Sequence, residues 1–431
     1  LYVHPQREKQ MIKDLPGTRT DRFGNVLPPG MPYARGRILT STETDFKKLE
    51  RAWRVIRARG LEKVYNFTGL EHGLPMTQDE LAFVTDELAP SMFADRLRDA
   101  AFKHLGGKAP EHDVAAFNRL TGATICVAAV TVKPGDVVIG VSASHSHPSV
   151  ARAVGLAGGK FIDTVGVEQF EEELGRQPQV ALVVMTRLAV TYEILEIDAI
   201  QRVVTAAHKR GITVYADDAG GARVGPAIFD QPRLLDLGVD AVATGLDKYG
   251  TIGPRLGLLA GRADIIGKAR ARSWEMAMEC RPLLFPAIVH TLEAYTPERV
   301  RALVSCTKEV VSALRGRFGD AISETPVIGA FLGEDILQSA MQRAGVTKAP
   351  IVPFEATAAL CMVMLEDHGM LTVHFVGVPP GTGDLLVKFI PPETLERVGG
   401  AKAYVDAVDK SLEKVAGMLE NPQQLSSLYF G

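Results

Sequence analysis

Hydrophobic residues in this chain gather into short unbroken runs, and between the runs they recur at helical spacing. The runs are Val137 to Val141, Val180 to Met185, Ile212 to Ala216 and Ala241 to Thr244. Runs that are apolar throughout suit parallel strands covered on both faces, and stretches such as Ile197 to Arg210 supply the crossover helices. From Asp113 to Lys268 the pattern therefore predicts an α/β domain with a mainly parallel central sheet and helices on both faces. Ahead of it, Phe46, Leu49, Trp53 and Ile56 predict an amphipathic helix over 44–59 with those four residues inward, stopped by Gly60. Thr77 and Glu80 stand at capping-box spacing and predict a helix running to about Leu88. After about Ala271 the order changes. Helices continue to about Arg317, followed by a helix over 354–368, strands over 371–375 and 385–389, and a last helix over 401–419. That is the pattern of a smaller C-terminal α+β domain. Residues 1–40 are broken by Pro5, Pro16, Pro28, Pro29 and Pro32 and cannot form a core element. They read as an arm, and Tyr2, Phe23 and Tyr33 favour its lying on a neighbouring subunit. The expected boundaries are 1–60 for arm and helix, 61–275 for the large domain and 276–431 for the small one.

Composition narrows the functional classes. A chain of 431 residues can bury a sizeable site, and 46% hydrophobic residues with 41 glycines fit a soluble α/β protein. A net charge of −3 argues against broad contact with nucleic acid, which needs a basic face. Cys126, Cys280, Cys306 and Cys361 are far apart, lack the spacing of a zinc or dithiol motif, and are expected to be reduced and buried. The opening LYVHPQREKQ has no apolar signal region and no run approaches membrane-spanning length, so a cytoplasmic location is expected.

The candidate chemistry lies between Gly211 and Gly261. The run ending at Ala216 delivers Asp217 and Asp218, and the run ending at Thr244 is followed by Lys248. Ligands of open α/β sheets sit at the carboxyl ends of strands. A lysine and an aspartate delivered there match the needs of pyridoxal phosphate, which takes a lysine amine as a Schiff base and a carboxylate against its pyridinium nitrogen. The alternative is a capping Asp and a solvated Lys. Glycines 250, 253, 257 and 261 favour a backbone pressed against a ligand before a return strand. Three further clusters accompany the pair. Phe117-Asn118-Arg119-Leu120-Thr121-Gly122-Ala123-Thr124 opens a helical run and is either an anion site or an ordinary helix start. In Ser144-His145-Ser146-His147-Pro148, one imidazole could stack on an aromatic ring, or both could ligate metal in a metal-dependent hydrolase together with Asp217 and Lys248. Thr186, Arg187, Thr191 and Tyr192 offer donors to a bound anion, or are plain loop residues. Arg255 either binds a substrate carboxylate or phosphate or forms a salt bridge on a turn.

Taken together, FNRLTGAT (117–124), KPGD (133–136), HPSV (147–150), VYADDAGGARV (214–224) and GLDKYGTIGPRLGLLAG (245–261) resemble the fold-type-I pyridoxal-phosphate enzymes, within them the selenocysteine-synthase-like branch. The resemblance covers about the middle third of the chain. It implies a fold-type-I transferase fold, with Lys248 carrying the cofactor, Asp217 at the pyridine nitrogen and His147 stacked on the ring. It places Asn118, Arg119, Thr121 and Gly122 near the phosphate, with Thr191 and Thr244 as further cofactor contacts. Many relatives have a histidine where this chain has Gly220. The bacterial selenocysteine synthases carry an N-terminal transfer-RNA-binding module, for which this chain offers only the arm and one helix. A free amino acid is therefore expected as substrate rather than transfer RNA. The expected reaction is α-proton abstraction with β-elimination or β-replacement; transamination, racemisation and aldol cleavage start from the same point. A homodimer is expected, and a non-catalytic cofactor-binding module is the remaining alternative.

Overall fold

A computed structural model describes residues 20–28, 31, 33–83, 85–375 and 382–431. Tyr2, Pro5, Pro16, Pro29 and Pro32 of the expected arm lie outside the described residues. The chain divides into two compact units, one formed by residues 69–307 and 325–328, the other by residues up to 68, 308–324 and 329–431.

The first unit is built on seven strands: β1 (His112–Phe117), β2 (Val137–Ser142), β3 (Lys160–Val165), β4 (Leu182–Thr186), β5 (Thr213–Asp217), β6 (Ala241–Gly245) and β7 (Gly257–Arg262). They are ordered β1-β7-β6-β5-β4-β2-β3, and β7 runs antiparallel to both of its neighbours. The central strands β4 and β6 are buried at every position, which explains why they read as unbroken apolar runs. Alternate residues divide between two cores. Val141, Met185, Ala216 and Val242 pack on one face with Phe93, Phe170 and Ile200 from flanking helices. Val138, Val184, Tyr215 and Ala243 pack on the other with Cys126, Val150 and Ile266. All four cysteines are buried thiols.

In the second unit the helix Pro353–His368 is buried along Pro353 to Leu365 and packs against helices Thr42–Arg59, Gly333–Ala344, Gly400–Met418 and Pro422–Phe430. Short strands complete it: Tyr65–Phe67 parallel to Met370–Thr372, and Leu385–Lys388, Ile328–Phe331 and Ile322–Glu324 in one sheet. The predicted strand over 371–375 stops at Thr372 and continues as a 3-10 turn.

Three further expectations are corrected. Tyr33, read as favouring an arm on a neighbouring subunit, stacks on Phe354 of its own unit with ring centroids 4.1 Å apart, and it and Leu39 are buried there, because an aromatic ring and an aliphatic side chain suffice to join a core without a regular element. The helix Thr42–Arg59 buries Asp45, Lys48, Ala52 and Val55, while Phe46 and Trp53 of the expected inward face are about half exposed, at 48% and 55%. Its buried polar groups have partners that hold this face inward: Arg35 pairs with Asp45 at 2.7 Å and Lys48 Nζ lies 2.7 Å from His374 Nε2. The capping box at Thr77 forms, with Thr77 N donating to Glu80 Oε2 at 2.8 Å, yet it opens only a 3-10 turn, Asp79–Phe83. The other Glu80 oxygen is engaged by His290 at 2.6 Å, and the α-helix spans Leu88–Leu105.

Candidate active site

Asp217 is the last residue of β5 rather than the first beyond it. It alternates with Tyr215 and so faces the core that packs under the helix Leu120–Thr131, where Tyr215 Oη meets Thr124 Oγ1 at 2.8 Å. The register extends the row sideways. Ser142 of β2 is opposite Thr186 of β4, and Met185 is opposite Ala216 of β5, which brings Ser142, Thr186 and Asp217 into line across three strand ends. All three are buried, and Ser142 Oγ, Thr186 Oγ1 and Asp217 Oδ1 take no hydrogen bond from the described residues. Buried polar atoms are nearly always satisfied, so this ledge is built to meet a group from outside the chain. Burial pushes the Asp217 carboxyl up to about 6 against the opposing pull of Lys248.

Lys248 sits in the hairpin between β6 and β7. Gly245 faces Gly257 across the strand ends, Leu246 N donates to Leu256 O at 3.1 Å, and Lys248 N donates to Thr251 Oγ1 at 3.2 Å. The segment from Leu70 to Gly73 lies along this hairpin, bridging at Leu70–Lys248 and His72–Gly253. A Cβ on Gly245 would stand 3.0 Å from Lys248 Cε, so glycine leaves the room the lysine stem occupies. The lysine amine is buried and its proton affinity is lowered, first by burial; Asp247 and Asp217 oppose this, Arg255 and Arg223 reinforce it. Asp247 is nearly as buried, but His72 at 3.2 Å, Lys248 and Arg255 at 3.6 Å outweigh desolvation and hold it at about 2. Arg255 thus forms a salt bridge, with a carboxylate next to Lys248.

The third wall is the start of helix Leu120–Thr131. Arg119 is its N-cap and makes no side-chain cap; Gly122 N donates to Arg119 O at 3.0 Å, and the N–H groups of Leu120 and Thr121, ahead of it in the first turn, are placed to bind an anion. Asn118 is fixed by its N–H to Met278 O at 3.0 Å, and a Cβ on Gly257 would lie 2.7 Å from the Arg119 carbonyl, so β7 and this turn touch backbone to backbone. Arg119 loses proton affinity through burial and then through Arg255, whereas Asp247 restores some; the two arginines share one field. His147 is the exposed N-cap of helix Pro148–Leu156 and holds Ser149 Oγ at 2.6 Å. Thr191 bonds Ser144 Oγ and Glu193, each at 2.7 Å, beside the same loop. Thr244 is turned away: its hydroxyl donates to Ala219 O at 3.0 Å and accepts from Arg223 at 2.9 Å.

Arg187 and Tyr192, expected as donors to a bound anion, are instead engaged by Asp218 and Tyr249 of the chain itself. Asp218, on the opposite side from Asp217, forms a fully buried two-pronged pair with Arg187. The ring of Tyr249 fills the space that a Cβ on Gly220 would need, and its hydroxyl meets that of Tyr192 at 2.6 Å. Tyr192 and Tyr249 both adopt positive φ, at 66° and 47°, a strain tolerated where the surroundings enforce it. Arg223 and His72 are also part of the setting. The only signal for Arg223 and Tyr249 was their place within two motifs already singled out, and His72 lies in none of them. Among the described residues no three His, Cys, Asp or Glu side chains converge to hold a metal ion, and no helix is long and apolar enough to cross a membrane.

No family model matches the chain. It is 29% identical over 399 residues to a UPF0425 pyridoxal phosphate-dependent protein of Methanothermobacter thermautotrophicus, covering 91% of this chain and all of that one. A protein of the same description from Methanosphaera stadtmanae is 24% identical over 87% of this chain and 97% of its own. Among solved structures, an aspartate aminotransferase of Thermotoga maritima aligns with TM-score 0.57 at 15% identity over 88% of this chain and 98% of that one. A serine palmitoyltransferase of S. paucimobilis aligns with TM-score 0.54 at 16% identity, covering 82% and 88%. SepCysS, from a complex with a SepCysE N-terminal domain, aligns at 0.57 and 14%, covering 82% and 95%. These likenesses show the fold, an α/β fold-type-I transferase fold.

Proposed function

We propose that this chain is a pyridoxal phosphate-dependent enzyme that takes the α-proton from a small amino acid and eliminates or replaces a substituent on its β-carbon. The observation that carries the cofactor reading is the buried, unpartnered Asp217 Oδ1, on a strand next to the one that leads into the buried Lys248. An acceptor of that kind fits the protonated nitrogen of a pyridine ring. The charges fit as well. With Asp218 paired to Arg187 and Asp247 engaged by Arg255, Arg119 beside the helix start is the cation left for a phosphate. Relatives described as pyridoxal phosphate-dependent along their whole length support the same cofactor.

The Lys248 amine would hold pyridoxal phosphate, which when bound would supply an electron sink for the substrate α-carbon. The chain's own residues do the rest. Asp217 accepts the hydrogen bond of the ring nitrogen. Arg119 and the first-turn N–H groups of Leu120 and Thr121 would hold the phosphate, and His147 would cover the open side. Freed once the substrate amine has replaced it, the Lys248 amine, desolvated and of lowered proton affinity, would take the α-proton at Nζ. Elimination or replacement rests on the motif likeness to the selenocysteine-synthase-like branch. The exposed Leu74 and Ile252, which flank the bridge from His72 to Gly253 beside the lysine hairpin, support a homodimer with the site near its interface.

The test is to load the protein with pyridoxal phosphate, reduce it with borohydride and map the modified lysine. β-Substituted amino acids of both configurations are then offered while keto-acid release is followed. A pyridoxyl group on Lys248 with release of keto acid and ammonia is expected. Amino transfer to a keto-acid acceptor without ammonia overturns the elimination reading alone. A protein with no pyridoxyl lysine overturns the cofactor, and turnover of none of the compounds leaves a binding module.

A further inference from the structure

The unusual charge in this unit is Arg223, in the first turn of the helix Gly221–Phe229, where the helix dipole disfavours a cation. It is fully buried. Its guanidinium donates to Ala219 O, Thr244 Oγ1 and His104 Nε2, each at 2.9 Å, and to Gly245 O. Every one of these acceptors is neutral. His104, at the end of the helix Leu88–Leu105, is kept uncharged by burial and by Arg223, with the Tyr295 ring edge-on to it at 4.8 Å. Among the described residues no carboxylate comes within ion-pairing distance of Arg223, and its Nε has no partner. Asp218 and Asp247 act on it only from further away, as do Tyr249 and Tyr295. Burying an ion without a counter-ion is among the costliest things a fold can do, and a hydrogen-bonding neutral side chain could have capped Gly245 O.

We propose that Arg223 is a positioning residue for Lys248: it fixes the strand end from which the lysine hairpin departs, and its uncompensated charge adds to burial in opposing a charge on the lysine amine. The hydrogen bonds to Thr244 and Gly245 act directly on the last two residues of β6, three and four positions before Lys248. Four charged groups face the amine: Asp247, Arg255, Asp217 and Arg223. The two aspartates favour the ammonium. Arg255 opposes them, but its side chain is one-third exposed and engaged by Asp247, so solvent and that carboxylate screen it. Arg223 acts on the amine less strongly than Arg255 in the folded protein, but it is fully buried and has no carboxylate within ion-pairing distance among the described residues, so water and counter-ions screen it least.

This inference rests on the cofactor reading above, and its test does not. The full-length cofactor-free protein is methylated with formaldehyde and a mild hydride across a pH series, and the extent at Lys248 is read by peptide mass spectrometry. Arg223→Gln removes the charge. His104→Glu leaves Arg223 in place and gives it a counter-ion, whereas His104→Gln keeps a neutral acceptor. The expected result is that Arg223→Gln and His104→Glu each raise the pH midpoint of Lys248 labelling by about one unit, and that His104→Gln leaves it in place. An unchanged midpoint in His104→Glu overturns the proposal, as does an equal shift in His104→Gln. If Arg223→Gln does not fold, the two His104 variants decide between them. A wild-type midpoint at that of an ordinary lysine overturns it with no variant at all. Trapping of pyridoxal phosphate at a different lysine would instead sink the cofactor reading and leave this measurement standing.

Discussion

The two sides of the sheet at the end of β5 hold carboxylates one residue apart that meet opposite treatment. Asp218 is buried and closed: Arg187 grips both its oxygens, and nothing more can be added. Asp217 is as buried and open, in line with the unpartnered hydroxyls of Ser142 and Thr186. Burial and residue type therefore do not distinguish a structural acid from a binding one. What distinguishes them is whether the fold supplies the partner or withholds it. The closed side contributes stability by itself, while the open side costs stability until something binds.

That contrast can be broken at its strongest point first. Lys248→Ala should remove the borohydride-trapped cofactor and lower turnover by about 10³-fold, while denaturant midpoints of the cofactor-free protein stay level or rise. A variant that keeps its pyridoxyl label places the reactive amine elsewhere. On the closed side, Asp218→Asn should cost about 3–5 kcal/mol in chemical denaturation, since it strands the Arg187 charge in the core.

Asp217→Asn should behave in the reverse sense. The folded-state value of Asp217 is raised to about 6, above the ordinary carboxylate value, so the folded cofactor-free protein holds this proton more tightly than the unfolded chain. Its stability is then highest below about pH 4 on this account, and falls by about 3 kcal/mol as the pH rises through 6. The asparagine variant should lose that slope in denaturation curves run across this pH window; retention of the slope would assign it to another group. A smaller effect is expected at Gly220. A Cβ there meets the Tyr249 ring, so Gly220→Ala should cost about 1–3 kcal/mol and weaken cofactor retention by displacing the residue after Lys248. A neutral alanine would mean that the Tyr192–Tyr249 pair moves freely.

The interior of the large sheet was legible because β2, β4, β5 and β6 are covered on both faces, and their unbroken apolar runs match their observed bounds to within two residues. β3 was not, since it is an edge strand and carries Lys160, Asp163 and Thr164. The face of the helix Thr42–Arg59 was misread by one residue because its inward polar groups are satisfied by Arg35 and His374, more than 300 residues away in the second case. Lys248 and Asp217 were legible as charges that end apolar runs. Arg223 was not, and Arg187 was read as a donor to a bound anion rather than to Asp218, because a buried arginine looks in sequence like a surface one until its acceptors, here backbone carbonyls, a histidine and an aspartate, are assembled around it.

The hairpin that carries Lys248 is pinned at both ends and along its flank: Leu246 to Leu256 closes it, and Leu70 and His72 are laced to it through bridges and through Glu71, which Arg299 clamps. Such a segment has given up its conformational entropy on folding rather than on encounter with a ligand. The arriving molecule finds a preformed nucleophile and has little backbone to organise. Its affinity then reflects contacts and charge alone, and the heat-capacity change of binding should be as small as that of a rigid cleft.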